Sequence, residues 1–294
     1  MHMRDNGVRD FTGKVALVTG GGSGIGLAIG RAFLEAGMRV MLTDLHQEHL
    51  DSAMDSLRSL HPSLPVTAAR LDVTDREAMV SIADQCERDL GPLHVIVNNA
   101  GVGMEGPILE AQFRDWDFGL GVNLGGVING LQIFVPRIRR HGQGGHVVNT
   151  ASLAAFVTMP SHLAIYAAAK AAVVALSEAM RPELERESIG LSILCPGPVR
   201  SNIHELTRNV PPGHSMSPAF QRAGEALARR RVSSLWMSPD EVAQQVLAGM
   251  RSNQLHIITH GEWREAVQTR LGAILAAMPT DTNPDLIASL RAME

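Results

Sequence analysis

The sequence contains a single tyrosine, Tyr166, and one of its two lysines, Lys170, follows four residues later. The residues around them are mostly alanine, the strongest helix former, so a helix would place both side chains on one face, one turn apart. A phenol titrates near pH ~10, but a cation within ~4–6 Å can lower such a pKa by ~1–3 units. The pair is therefore a candidate acid/base. Taken alone, it also fits an accidental polar pair on an exposed helix.

Composition and charge describe an ordinary globular protein. The chain has 294 residues, of which 45% are hydrophobic and 19% charged, enough to bury a large core. A net charge of −4 with mixed signs favours neither nucleic acid nor an anionic membrane as a partner. No stretch reaches the ~18–20 uninterrupted apolar residues of a membrane helix, and residues 1–14 lack an apolar signal-peptide core. We expect a cytoplasmic protein with no nucleic-acid or membrane partner.

The cysteines and histidines do not follow a metal-binding or disulfide pattern. Cys86 and Cys195 are far apart and form no CxxC motif, and none of the twelve histidines falls in HExxH spacing. His46 and His49 lie one helical turn apart and could bind a metal, but a polar helix surface is the favoured interpretation. We expect no metal site.

Short β-branched runs alternate with longer helical patterns from residue 14 onward. Strands are predicted at residues 15–19, 40–43, 66–71, 94–97, 146–149, 191–194 and 254–258, with helices between them, one of which runs over about 116–139. Such an order builds a parallel sheet covered on both faces, because each right-handed crossover lays its helix on the sheet. The prediction is one doubly wound α/β domain of about seven strands at residues 13–261. A tail at 1–12 and a C-terminal helical extension at 262–294 complete the chain.

One segment, residues 200–237, interrupts this alternation. It contains Pro211-Pro212-Gly213 and several polar residues, and it follows the sixth predicted strand. A long segment beside the strand ends is more typical of a mobile substrate lid than of a linker.

A glycine-rich turn, TGGGSGIGL at residues 19–27, separates the first strand from the first helix. Glycines let the backbone turn tightly and approach a pyrophosphate, while the helix N-terminus offers free N–H groups and a positive dipole. An isolated glycine string would be equally consistent with a loop. Between a strand and a helix of a βαβ unit it predicts dinucleotide binding.

An acidic residue, Asp44, closes the second predicted strand, eighteen residues after Gly26. A carboxylate there can accept hydrogen bonds from both ribose hydroxyls and would repel a 2′-phosphate. No arginine or lysine stands at Ser23, Leu45 or His46 to offset that repulsion. NAD is therefore predicted in preference to NADP. A helix N-cap role for Asp44 is compatible with this.

Together these motifs resemble the short-chain dehydrogenase/reductase family, and the match runs to about residue 260. The motifs, in order, are Thr19, Gly20, Gly24 and Gly26 in TGxxxGxG, Leu71-Asp72-Val73, Asn98-Asn99-Ala100-Gly101, Asn123, Ser152, Tyr166 with Lys170, and Pro196-Gly197-Pro198-Val199. The resemblance implies a Rossmann fold and hydride transfer with a nicotinamide cofactor. It also implies a homotetramer or homodimer formed through the Asn123 and Tyr166 helices.

The resemblance assigns a role to each residue of the catalytic group. Tyr166 would be the general acid/base, and Lys170 would lower its pKa and hydrogen-bond the nicotinamide ribose. Ser152 would bind the substrate oxygen, and Asn123 would hold a water that links Lys170 to solvent. The residues implied to contact the cofactor are Gly20, Ser23, Gly24, Ile25, Gly26, Asp44, Leu45, Asp72, Val73, Asn99, Ala100, Gly101, Tyr166, Lys170, Pro196, Gly197, Val199 and Ser201.

The chain departs from the family pattern in three places, one of which is the tail from about Glu262, which exceeds the usual family core. The gap from Ser152 to Tyr166 is one residue longer than the family leads us to expect, which predicts a small bulge near Met159-Pro160. Ser201 stands where a threonine is common, a change that keeps the hydroxyl.

The expected pocket wall is apolar, and no arginine is placed to receive a substrate phosphate or carboxylate. A hydrophobic secondary alcohol or ketone is the predicted substrate. The candidate substrate residues are Ser152, Ala154, Met159, Tyr166, Met216 and Trp236. Residues 121–130 and 201–203 and the C-terminal extension look like the branch that contains bacterial Cα-dehydrogenases of lignin-derived aryl ethers, which oxidise benzylic alcohols with NAD.

Three other functions fit part of the sequence. Hydroxysteroid dehydrogenases share the same core motifs. A non-catalytic NAD(H)-sensing regulatory protein would have the same fold, although such proteins often lose part of the tyrosine, lysine and serine set that is complete here. An S-adenosylmethionine methyltransferase would explain neither the YxxxK spacing nor the PGPV segment.

Overall fold

A computed structural model describes residues 10–60, 65–203, 205, 209–229 and 233–291. Seven strands form one parallel sheet in the order β3-β2-β1-β4-β5-β6-β7. They are β1 (Val15–Thr19), β2 (Arg39–Asp44), β3 (Val66–Arg70), β4 (Leu93–Asn98), β5 (Gly145–Thr150), β6 (Ile189–Cys195) and β7 (His256–Ile258). The sheet reverses its winding direction between β1 and β4, the point at which a cleft opens at the carboxyl ends of the strands. The predicted doubly wound α/β fold is confirmed.

Helices cover both faces of this sheet. They are α1 (Gly24–Glu35), α2 (Gln47–Leu60), α3 (Arg76–Leu90), α4 (Phe113–Leu120), α5 (Gly126–Arg140), α6 (Ala164–Arg186), α7 (Pro218–Ala228), α8 (Pro239–Arg251), α9 (Arg264–Ala276) and α10 (Pro284–Arg291). Successive strand residues point to opposite faces, so each strand contributes to two cores. Leu17 packs on the side of α3, α5 and α6, whereas Val18 packs on the side of α1, α2 and α8.

The long helix predicted over 116–139 is present but interrupted. Its first part, α4, is followed by a π-helical turn, Gly121–Gly125, and then by α5. Glycines at both ends of this turn permit the wider winding, and π turns are often found at functional sites. The turn carries Asn123.

The region between Ser152 and Tyr166, where a small bulge was predicted, is irregular in part. Residues 158–160 form an irregular link between two 3₁₀ turns, Leu153–Ala155 and Ser161–Leu163, and the second turn leads directly into α6. The predicted bulge near Met159-Pro160 is therefore an irregular connection rather than a strand bulge.

The predicted lid segment, 200–237, has structure of its own in its described residues. A β-bridge between Val199 and Met237 joins its ends, and α7 lies between them. The start of α7 is anchored, because the Ser217 N–H donates to the buried Asp115 carboxylate at 2.7 Å and Phe220 is buried in the core. Mobility of this segment stays a prediction. Residues 204, 206–208 and 230–232 lie outside the described chain, as do residues 1–9 of the predicted N-terminal tail.

The C-terminal extension forms α9 and α10. No residue of α9 is buried, and Leu271, Ile274 and Leu275 are exposed on it. The Arg270 guanidinium reaches back to the Ala155 carbonyl oxygen at 3.0 Å. This polar contact joins the extension to the turn that follows Ser152.

By length and composition alone, two helical stretches, Phe113–Arg140 and Ser161–Arg186, could cross a membrane. In the first, 61% of the most apolar window is buried inside the fold, and both stretches contain helices that cover the sheet. Helices of soluble proteins often meet the same criterion, so the observation is weak evidence for a membrane protein.

Candidate active site

A cleft of about 1040 Å³ opens at the carboxyl ends of the central strands. Most of the predicted cofactor residues line it, namely Gly20, Ser23, Gly24, Ile25, Asp44, Leu45, Asp72, Val73, Asn99, Ala100, Gly101, Tyr166, Lys170, Pro196 and Ser201. Gly26, Gly197 and Val199 are not among the lining residues. The structure therefore brings together, in one cleft, motifs that are spread over some 180 residues of sequence.

The glycine turn has the geometry of a phosphate-binding loop. Gly20 and Gly24 have positive φ angles of 62° and 51°, which L side chains rarely adopt. A Cβ atom at Gly20 would lie 2.9 Å from Ala100 Cα, and one at Gly26 would collide with the Gly20 carbonyl oxygen. The Ser23 side chain makes no capping hydrogen bond within the described chain, so the first N–H groups of α1 remain available to an anion.

Hydrogen bonds join this turn to the end of β4. The Thr19 hydroxyl oxygen accepts from the N–H groups of Asn99 and Ala100 at 2.9 and 3.0 Å. The Asn99 amide in turn donates to the carbonyl oxygens of Thr19 and Gly20. The glycine turn after β1 and the loop after β4 are thus joined by hydrogen bonds where they border the cleft.

The Asp44 side chain lies at the far end of the cleft and is 8% exposed. One carboxylate oxygen accepts from the Gly22 N–H at 3.1 Å, and the other accepts from the His46 N–H at 3.1 Å. These bonds fix the carboxylate beside the glycine turn. In this position the carboxylate can accept hydrogen bonds from ribose hydroxyls, as the sequence predicts.

His46 and His49 also line the cleft, although their sequence pattern favoured a polar helix surface. His49 Nδ1 lies 3.5 Å from the Asp44 carboxylate, and His46 Nε2 is 2.9 Å from the Asn209 amide oxygen. Their position directly after Asp44 is the sequence signal that could have placed them in the cleft. Among the described residues, no group of three or more metal-ligating side chains occurs.

Lys170 is almost completely buried beside Tyr166 on α6. Its side chain is 2% exposed, and Nζ donates to the Thr150 carbonyl oxygen at 2.8 Å. The Nζ atom lies 5.8 Å from the centroid of the Tyr166 ring. Burial disfavours the ammonium and lowers the Lys170 pKa to about 8. The sequence did not point to Thr150 as its partner.

The pKa of Tyr166 lies above the ordinary value of a phenol. Burial raises the pKa of the phenol, and the hydrogen bond with the Ser152 hydroxyl lowers it by a smaller amount. Burial disfavours the charged form of both groups, and the Lys170 ammonium also donates to the Thr150 carbonyl oxygen. The lowering of the Tyr166 pKa by Lys170 stays a prediction.

Ser152 stands at the start of the 3₁₀ turn Leu153–Ala155. Its Oγ accepts from the Ala154 N–H at 3.1 Å and hydrogen-bonds with Tyr166. The turn is also joined to the segment after β6, because the Leu153 N–H donates to the Pro196 carbonyl oxygen at 3.0 Å. A substrate oxygen near Tyr166 would therefore meet two hydroxyl groups.

The Asn123 side chain is fully buried, and both ends of its amide are hydrogen-bonded. Its Oδ1 accepts from the Val102 N–H at 3.0 Å, and its Nδ2 donates to the Val102 carbonyl oxygen at 2.9 Å. The amide keeps a second lone pair and a second N–H, so the expected water-holding role stays a prediction. Its observed contacts fasten the π turn to the strand end that leads to Gly101.

Of the six substrate candidates, Tyr166 lines the cleft and the other five do not. Ser152, Ala154 and Met216 are buried, Met216 within the core, whereas Trp236 is 37% exposed and Met159 is half-buried. The cleft also includes residues that were not among the substrate candidates, namely Val122, Asn202, Ile203, Asn209 and Pro211. Several of them belong to the 200–237 segment, so the sequence located the wall but not its side chains.

Residues 14–210 match the family model for short chain dehydrogenases. The chain belongs to the short-chain dehydrogenase/reductase family, as its motifs predicted.

Relatives of nearly the same length support this assignment. A C alpha-dehydrogenase from a Sphingobium species is 34% identical over 95% of this chain and 91% of its own. A short-chain dehydrogenase/reductase from Burkholderia phymatum, solved in complex with NAD, is 32% identical with a TM-score of 0.84, covering 94% of this chain and 99% of that one. A 1-deoxy-11-beta-hydroxypentalenate dehydrogenase from Streptomyces avermitilis is 33% identical over 88% of this chain and 87% of its own. The chain is thus an oxidoreductase of this family that resembles the C alpha-dehydrogenase branch.

Proposed function

We propose that the protein is an NAD-dependent dehydrogenase that interconverts a hydrophobic secondary alcohol and its ketone. The observation that carries this proposal is that Tyr166, hydrogen-bonded to Ser152 and beside buried Lys170, lines the same cleft as Asp44. The Tyr166 phenol suits proton transfer to or from an oxygen, and the Asp44 carboxylate suits a ribose.

The residues along the cleft fit a dinucleotide. The glycine turn leaves room where a Cβ would collide with backbone, and the N–H groups of α1 can receive a pyrophosphate. Asp44 would accept from the adenosine ribose hydroxyls, and Asp72 and Val73 would flank the adenine. When bound, NAD supplies the hydride acceptor for alcohol oxidation.

The catalytic step that we propose for the protein is a proton transfer at Tyr166 Oη. During alcohol oxidation, Tyr166 accepts the hydroxyl proton while the carbinol carbon gives up its hydride. Ser152 Oγ hydrogen-bonds the same substrate oxygen and holds it within reach of the phenol. Lys170 stabilises the phenolate by its charge. In the reverse direction Tyr166 donates the proton to the carbonyl oxygen.

The pH dependence should follow the Tyr166 and Lys170 pair. We propose that these two buried neighbours titrate as a pair, with a first step near the Lys170 pKa of about 8. We expect alcohol oxidation to increase and ketone reduction to decrease as the pH rises through this value, because oxidation needs a proton acceptor and reduction needs a donor. Profiles of kcat/KM against pH in both directions measure this. An oxidation rate that is constant across this range would contradict the assignment.

Aryl carbinols are the proposed substrate class. The cleft wall includes the apolar residues Val102, Val122 and Ile203, and a C alpha-dehydrogenase is among the relatives. We also propose a cytoplasmic location and a homodimer or homotetramer paired through the α4–α5 and α6 helices. Sedimentation of the purified protein would give the oligomeric state. A monomer at working concentration would overturn that part.

The substrate test is a panel of aryl carbinols with hydroxysteroids as the comparison set. We expect NADH to form with aryl carbinols at higher kcat/KM than with any hydroxysteroid. The opposite ranking would move the assignment to a hydroxysteroid dehydrogenase, with the cofactor and the catalytic residues unchanged.

A further inference from the structure

The segment after β7 contacts two walls of the active site. Thr259 and His260 follow the strand directly, and Arg270 lies on α9 in the C-terminal extension. We call residues 259–270 the support segment. It lies beyond residues 14–210, which carry the family match.

The first contact is with Pro196-Gly197-Pro198-Val199, the motif that the family resemblance places against the cofactor. The Gly197 N–H donates to Thr259 Oγ1 at 3.2 Å and lies 3.3 Å from His260 Nδ1, while Thr259 Oγ1 and His260 Nδ1 are 2.6 Å apart. A Cβ atom on Gly197 would lie 2.8 Å from the His260 ring. The Gly197 backbone is thus held closely against the support segment.

The second contact is with the turn that carries Ser152. The Arg270 guanidinium donates to the Ala155 carbonyl oxygen at 3.0 Å. Within the turn, the Ala155 N–H donates to the Ser152 carbonyl oxygen, and the Ala154 N–H donates to Ser152 Oγ. A displacement of Ala155 would therefore be transmitted to the Ser152 hydroxyl.

The two walls are also bonded to each other. The Leu153 N–H donates to the Pro196 carbonyl oxygen at 3.0 Å. The hydrogen bonds form a closed loop. The support segment accepts from Gly197, the adjacent Pro196 accepts from Leu153, and Ala155 of the same turn accepts from Arg270 of the support segment. These hydrogen bonds thus join the Ser152 turn, which carries a proposed catalytic hydroxyl, to the Pro196-Gly197 segment, which is proposed to contact the cofactor.

The remaining contacts of α9 do not explain this arrangement. The helix has no buried residue, so it adds little to the hydrophobic core of the described chain. Arg270 is nevertheless partly buried and aimed at a backbone carbonyl of the catalytic turn. Charged hydrogen bonds that fix a backbone suit a role in positioning, since small displacements of reacting groups lower rates strongly.

We propose that the support segment positions the active site for hydride transfer, with Arg270 and Thr259 as positioning residues that act through Ser152 and Gly197. The inference rests on the proposed dehydrogenase function. It gives the C-terminal extension a role in catalysis without contact with the reacting atoms.

The test compares four variants of the full-length chain. Arg270→Met and Thr259→Val remove the two contacts with little change in size, Arg270→Lys keeps a charged donor, and Arg264→Met removes an exposed arginine from the same helix as a control. We expect Arg270→Met and Thr259→Val to lower kcat about 10- to 100-fold with an increased primary deuterium isotope effect. NADH affinity and Tm should stay unchanged. Arg270→Lys should recover part of kcat, and Arg264→Met should match the wild type.

Amide hydrogen exchange separates failure of this inference from failure of the proposed function. Faster amide exchange at Ala154 in Arg270→Met, and at Gly197 in Thr259→Val, supports the positioning role. If the wild type nevertheless turns over no tested alcohol, only the dehydrogenase assignment fails. Wild-type kcat and isotope effect in both variants would overturn the inference and leave the dehydrogenase assignment intact. If the wild type turned over no tested alcohol and neither variant changed the exchange rates, both the inference and the dehydrogenase assignment would be overturned.

Discussion

Replacing Tyr166 with phenylalanine should abolish turnover and leave NAD binding nearly intact. The substitution removes only the phenolic oxygen, and the ring stays beside buried Lys170. Because general acid–base catalysis contributes about 10²–10⁴-fold, kcat should fall by a factor in that range, through loss of the group that exchanges the substrate proton. Steady-state kinetics and NADH fluorescence titration measure the two quantities.

A neighbouring substitution controls for disturbance of the helix. Ala168→Ser changes an exposed position of α6 between Tyr166 and Lys170 and should retain wild-type kcat. If Tyr166→Phe retained more than a few per cent of kcat, Tyr166 would not be the acid/base. If it lost NADH binding as well, the phenol would instead serve the cofactor site.

Replacing Asp44 with alanine should weaken NAD binding and reduce the preference for NAD over NADP. The carboxylate is proposed to accept hydrogen bonds from both ribose hydroxyls. Hydrogen bonds to charged groups contribute about 1.5–3 kcal/mol each, so the loss of both should raise the Kd for NAD about 10²- to 10⁴-fold. Its removal also ends the repulsion of a 2′-phosphate and leaves the imidazoles of His46 and His49 at that end of the cleft. Titration with NADH and NADPH gives both affinities.

The matched control is Asp51→Ala, which removes the same charge from an exposed position on α2. It should leave both affinities as in the wild type. An Asp44→Ala variant that binds NADH and NADPH as the wild type does would show that Asp44 only supports the local backbone, through its bonds to the Gly22 and His46 N–H groups.

The sequence predicted the sheet and most of the cleft because both depend on local patterns. β-branched runs located the seven strands, and the glycine turn could be assigned once a strand preceded it and a helix followed it. Asp44 and Ser152 follow strands whose carboxyl ends meet at one edge of the sheet, and the family resemblance adds Tyr166 to the same site.

The features that the sequence missed depend on contacts between distant residues. The pKa of Tyr166 is raised because its surroundings are buried, which its YxxxK spacing does not encode. The engagement of Asn123 with Val102, and of Arg270 with Ala155, joins residues 21 and 115 positions apart. The π turn at Gly121–Gly125 is permitted by its glycines but not required by them.

Deuterium substitution at the carbinol carbon of an aryl alcohol tests the central claim most directly. The wild-type protein should form NADH from NAD and the alcohol, and the deuterated alcohol should react more slowly because hydride transfer breaks that carbon–hydrogen bond. Tyr166→Phe should form no NADH from either alcohol. Tight NADH binding without turnover of any aryl carbinol or hydroxysteroid would contradict the account and indicate a dinucleotide-sensing protein.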